Sequence, residues 1–165
     1  MAPLHFLNLA LHVLAAIAWL GGMFFFALFG APVLRTVEPA SLRSSLFQAL
    51  GRRFRWIGWA LVAILLATGM VNLSFLGLLS AEVLGSPEFW GTPVGTALGW
   101  KLIGVGAMIV LGALHDFVWG PRSGRHLVDS AEGRRARQVT SWIGRVNALV
   151  GIVVVLAAIR LARGG

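Results

Sequence analysis

Hydrophobic positions along this chain gather into four long blocks, separated by linkers that hold most of the charge. At a 1.5 Å rise about 20 apolar residues cross a bilayer core, and the stretches 4–34, 56–81, 96–119 and 142–161 are read as spans. The first runs from Leu4 to Leu34 with no charge before Arg35, and Pro32 marks the approach of its end. A signal peptide would carry a basic segment ahead of a shorter apolar run, so this stretch is read as a helix that stays. The second is preceded by Leu42, Leu46, Leu50 and Phe54 at helical spacing among arginines, which predicts a short interfacial helix leading into the span. The third is entered from Gly85, Pro87, Gly91, Pro93 and Gly95 and left at Gly120-Pro121. The fourth has fourteen uncharged residues between Arg145 and Arg160, enough to span when both arginines snorkel. The expected fold is an all-α integral membrane protein, a single four-transmembrane-helix bundle of residues 1–165 running up-down-up-down.

Composition supports this. Of 165 residues 58% are apolar and 12% charged, with a mean hydropathy of +0.83, whereas ordinary soluble domains are about 25% charged. There is no cysteine, which excludes disulfides, thiolate metal sites and cysteine nucleophiles. The net charge of +8 comes from thirteen arginines and one lysine lying mostly between the apolar blocks. That is a topology signal, so no nucleic-acid partner is expected; the partner is a lipid bilayer. Five arginines lie between Arg35 and Arg55 and five between Gly120 and Ser141 (Arg122, Arg125, Arg134, Arg135, Arg137), while the middle linker holds only Glu82 and Glu88. Both basic loops are therefore expected in the cytoplasm of a bacterial-type inner membrane, with both termini outside; Arg160 and Arg163 run against the rule. Trp56, Trp90, Trp100, Trp119 and Trp142 fall near the expected interfaces.

In the first span His5, Asn8, His12, Ala15, Trp19 and Gly22 share one stripe, which should face the bundle. Histidine inside a membrane is a functional hypothesis by default, and its bland alternative is a hydrogen bond to a neighbouring helix. His5, nearer the surface, is read as interfacial. On the third span Lys101, Gly104, Met108, Gly112 and His115 form a comparable stripe. Rise arithmetic puts His12 about 12 Å, Met108 about 18 Å and His115 about 28 Å from the outer end. As axial ligands of one haem, His12 and Met108 match better than His12 and His115, and Met70 on the second span is a rival. His115-Asp116 reads as an oriented ligand, a proton-handling pair or an anchor to Arg122 or Arg145. Asn147 should lie near its depth, and His126 falls in a basic loop. No P-loop, HExxH or dinucleotide motif is present. Met23, Met70 and Met108 stand singly, unlike a serial copper pathway with sulfur at helical spacing.

The stretch Leu11–Arg35, with His12 and Trp19-Leu20-Gly21-Gly22, resembles the first span of the copper-resistance D (CopD) family. Thr68-Gly69-Met70-Val71-Asn72-Leu73, Gly112–Arg122 and the Arg145–Arg163 helix with Asn147 are similar to its later spans. A more distant resemblance is to the HemJ-type protoporphyrinogen oxidases, through His12 and Trp19, Trp100-Lys101, His115 and Asn147. That resemblance implies His12 as a haem ligand and Lys101 as a propionate partner. The leading expectation is a haem b protein acting in electron transfer or as a haem-dependent oxidase, with His12 as one axial ligand and Met108, Met70 or His115 as the other. Trp19 and Lys101 line that site, and Asp116, Asn147 and His5 stand behind it. A quinone or a redox protein would be its partner, and a homodimer is how a second histidine would reach the iron. The alternative is copper transport through His5, His12 and the methionines, as the CopD resemblance implies; the third is a non-catalytic membrane subunit.

Overall fold

The computed structural model describes residues 2–121 and 130–165. Its described elements are helical, and four helices are long and apolar enough to cross a membrane: Pro3–Arg35, Ala40–Phe75, Pro93–Trp119 and Ala131–Ala162. This is an all-α, multi-pass membrane protein. Arg122, Arg125 and His126 lie outside the described residues.

The first span consists of α1 (Ala2–Phe25), a π-helical turn (Phe26–Gly30) and α2 (Ala31–Arg35). The third is α6 (Pro93–Ala113) followed by a second π-helical turn (Leu114–Trp119). Both π-turns stand just before a proline, and the cause is the same. Proline has no N–H to give and its ring collides with the carbonyl four residues back, so the preceding turn widens. Ala31 N–H reaches back to Phe26 O ahead of Pro32, and Gly120 N–H reaches His115 O ahead of Pro121. A side chain at Gly120 would run into that same carbonyl.

The stretch expected as a separate interfacial helix is helical, but it continues into the second span as one 36-residue helix, α3 (Ala40–Phe75). No proline or capping side chain interrupts it between Ser41 and Phe75. Its end falls short of the expected residue 81 because Leu76-Gly77 turns the chain, with Gly77 at a φ of +69° that favours glycine. The linker to α6 holds two one-turn helices, α4 (Ala81–Gly85) and α5 (Pro87–Gly91). Ser80, Ser86 and Thr92 cap α4, α5 and α6 by accepting from Val83, Phe89 and Gly95 N–H. The last helix, α7 (Ala131–Ala162), is capped by Ser130 and begins eleven residues before the expected span.

α1 packs antiparallel on α3, and α6 packs on α7; α1 also touches α7. The buried core is built mainly of small residues: Ala15, Ala97, Ala136, Ala148 and Ala157, with Leu98 and Met108 the largest side chains enclosed. Bulky residues such as Phe6, Ile17, Ile103 and Leu149 are more than 60% exposed, which is where lipid tails belong. Among hydrocarbon, helices gain little from hiding apolar surface from one another, so close approach of small residues holds the bundle. Gly104 shows this directly, because a methyl there would collide with Val154 of α7.

Candidate functional site

The polar stripe of α1 meets α3 turn by turn. His5 stacks on Phe75 with ring centroids 4.7 Å apart. One turn deeper, the Asn8 amide donates to Thr68 O at 3.0 Å and to Asn72 Oδ1 at 2.8 Å. His12 Nδ1 lies 2.7 Å from Thr68 Oγ1, with its Cε1 against Gly69, and Trp19 lies against Gly58. Thr68 is buried, and its hydroxyl has a single proton.

That proton fixes the histidine. Thr68 Oγ1 lies 2.6 Å from Ile64 O, an acceptor only, so the hydroxyl donates there. The contact with His12 must then run the other way, from Nδ1–H into the hydroxyl oxygen. Nε2 is left as the lone-pair nitrogen, and the ring is also hydrogen-bonded to the Leu65 backbone, a turn before Thr68. An imidazole tied at one nitrogen and open at the other is prepared as a metal ligand. Lys101 of α6 is close enough for its charge to act on His12, and it has no acidic partner among the described residues.

A second cluster sits in the π-turn after α6. His115 Nδ1 lies 2.9 Å from Asp116 Oδ1, and Asp116 Oδ2 accepts from Trp59 Nε1 of α3 at 3.0 Å. Trp59 packs on Phe117 at 5.6 Å, with the Arg55 guanidinium also 5.6 Å from that ring. His115 Nε2 points toward α7 at Gly144. Here too Nδ1 is held and Nε2 is left open. The carboxylate is engaged by its neighbour and by Trp59, so the expected anchor to Arg145 does not form; the Arg145 guanidinium lies 5.9 Å from the Trp142 ring.

The structure does not bring the expected axial ligands together. Met108 is buried at the level of Leu20 and Gly151, since a methyl on Gly151 would touch both. Leu20 lies eight residues, about 12 Å, below His12 along α1, too far for one iron to bridge. Met70 is level with His12 but is 59% exposed, because Thr68 and Gly69 occupy the face turned to α1. Sequence depth alone had merged these positions, because it counts rise from uncertain helix starts. Asn147 lies one turn along α7 from Gly144, where His115 Nε2 points, so it is near the expected depth, but its hydrogen bond goes elsewhere: Nδ2 donates to Met23 Sδ on α1 at 3.6 Å, while its buried Oδ1 has no partner among the described residues. An unmet buried acceptor of this kind costs about 1–3 kcal/mol.

Several residues now in view were not picked out by sequence reasoning for these roles. Thr68 and Asn72 are a polar pair four residues apart in an apolar span, a signal that would have found them. Trp59 and Met23 carried no such signal, since each gains its meaning from a helix distant in sequence. Among the described residues no group of three or more His, Asp or Glu side chains converges as a metal site.

Comparison with known proteins adds chemistry to this geometry. The family described as copper resistance protein D (CopD) matches residues 48–161. The chain is 28% identical over 159 residues to an uncharacterized protein of Aquifex aeolicus (strain VF5), covering 96% of this chain and 95% of that protein. It is 30% identical over 163 residues to the inner membrane protein YebZ of Escherichia coli (strain K12), covering 98% of this chain and 49% of YebZ. It thus spans about half the length of YebZ. No solved structure matches. The family match favours the copper alternative over the haem reading.

Proposed function

The chain belongs to the copper resistance protein D family, and from that premise we propose that it binds copper(I) inside the bilayer and passes it along the bundle as cargo. One observation carries the reading beyond the family: His12 Nε2, a lone pair held open inside a spanning helix by the Thr68 hydroxyl. Imidazole suits copper, and His115 repeats the arrangement near the opposite end of the bundle with Asp116 as the holding group. The protein would sit in an inner membrane, as YebZ is described. The basic segments 35–55 and 134–137 would face the cytoplasm and the His5–His12 end the exterior. Copper would then enter at His12 and leave at His115.

Lys101 supports a second reading. A cation whose charge acts on His12 and which has no acid beside it among the described residues suits an anionic group, such as a haem propionate. His12 would then be the single protein ligand to the iron, and the haem would supply the redox chemistry.

The test is anaerobic titration of the detergent-purified protein with copper(I) against a chromophoric chelator, with a visible spectrum of the same sample. Copper transfer predicts a colourless protein that takes up copper(I) and loses affinity in His12→Ala. A Soret band that His12→Ala abolishes would replace it with the haem reading. No uptake of either would refute both.

A further inference from the structure

Between the two histidine levels, three helices bring together side chains that stand apart in sequence. Asn147 and Gly151 lie one turn apart on the same face of α7, both buried. Met23 of α1 reaches Asn147, with 3.6 Å between sulfur and amide nitrogen. Met108 of α6 lies against Gly151, where a side chain would collide with its methyl group and with Leu20. The two thioethers are thus presented to one helix about a turn apart, roughly 5–6 Å along its axis, from two neighbours that both reach Gly151. Both are unbranched side chains able to swing by that distance. At the same place Asn147 Oδ1 is buried, with the residue 6% exposed, and aims at no donor among the described residues.

We propose that Met23, Met108 and Asn147 form a mid-membrane site for a soft monovalent cation, copper(I), with the two sulfurs as ligands and the Asn147 amide, which donates Nδ2–H to Met23 Sδ in the empty site, turning over so that its oxygen faces the positive charge. This rests on the copper reading above, and it adds a station that the histidines do not supply. Thioethers select copper(I) over divalent cations, and they carry no charge, so the empty site is tolerated in hydrocarbon. Gly151 is what makes room for Met108 beside α7. Along α1, Met23 lies eleven residues, about 16 Å, below His12. Along α6, Met108 lies seven residues, about 10 Å, above His115. The site therefore divides a gap that is too long for direct transfer between imidazoles.

The sulfur inventory makes the test clean, since the chain has no cysteine and only four methionines. X-ray absorption of the copper(I)-loaded, detergent-purified protein is expected to show a sulfur shell beside the nitrogen shell. In M23L/M108L, which keeps the apolar volume, the sulfur shell is lost and bound copper falls by one equivalent while the nitrogen shell remains. In H12A the nitrogen signal drops and sulfur persists. M70L, altering an exposed methionine, changes neither. N147L is expected to weaken copper binding in the sulfur shell at least tenfold with the thermal transition retained. Nitrogen-only copper in the wild type, or a sulfur shell unchanged in M23L/M108L, overturns this site and leaves the copper reading standing. Absence of copper(I) binding altogether overturns both.

Discussion

Replacing Thr68 by valine keeps the shape of the buried side chain and removes only the hydroxyl that receives His12 Nδ1–H. The lost bond to Ile64 O matters little, because that carbonyl belongs to the ladder of α3. His12 is left with two responses. It keeps its proton on Nδ1 with only the Leu65 backbone to receive it, or it moves the proton to Nε2 and gives up the lone pair that would bind metal. Interhelical hydrogen bonds in membranes average about 0.6 kcal/mol, with about 1.7 as a maximum, so a net destabilisation of about 1 kcal/mol is expected. For a chain of this size that is a fall of about 2–4 °C in Tm. The effect on metal is larger, because losing the group that orients a ligand typically costs 10- to 100-fold in affinity. Thr68→Ser, which restores the hydroxyl, should recover most of it. The assay is copper(I) competition titration of the wild type, Thr68→Val and Thr68→Ser in detergent, with thermal unfolding on the same preparations. Equal copper affinity in wild type and Thr68→Val would refute the reasoning, whatever the stability change.

Lys101→Met separates the two readings. Removing a nearby cation at an effective dielectric of about 20 is worth about 1–2 kcal/mol, so copper(I) affinity should rise about tenfold, whereas a haem that uses Lys101 would be lost; titration and a visible spectrum decide. Asp116→Ala removes the acceptor of Trp59 Nε1 and of the partly exposed His115 Nδ1, and should destabilise by about 1–2 kcal/mol, read as a lower Tm that Trp59→Phe alone reproduces only in part. In the linker, the Ser86 hydroxyl bonded to Glu88 holds that carboxyl below its ordinary value. A lowered folded value means the contribution is present above the unfolded carboxylate range and disappears as pH falls through the folded value. Ser86→Ala should move the Glu88 titration back up, measurable by NMR, with the carboxylate still ionised near neutral pH, where the lost bond and the lost α5 cap both lower stability.

The four spans and the inward stripe of α1 were legible because each follows from one local period: apolar length for the spans, and spacings of three and four for His5, Asn8, His12, Ala15, Trp19 and Gly22. The merging of residues 42–55 into α3 was harder to see, since arginines among leucines suit both a surface helix and a spanning helix that extends past the bilayer. Pairings between spans were the least legible. Placing Met108 beside His12 needed helix starts, tilts and rotations, and an error of two turns in any of them is about 11 Å. The same arithmetic puts Asn147 near the depth of His115, which holds to within a turn at Gly144, but it could not show that the amide bonds Met23 instead. The π-turns had a visible cause in Pro32 and Pro121, but their effect on where His115 and Asp116 point depends on Trp59, 57 residues away.

Passage of copper itself tests the account most directly. Purified protein in sealed vesicles, with a copper(I) chelator dye inside and copper(I) held by ascorbate outside, should give dye signal well above empty vesicles. His12→Ala should reduce that signal to near the empty-vesicle rate while the protein still inserts and unfolds cooperatively. A wild-type rate equal to that of empty vesicles, or a full rate in His12→Ala, would contradict it.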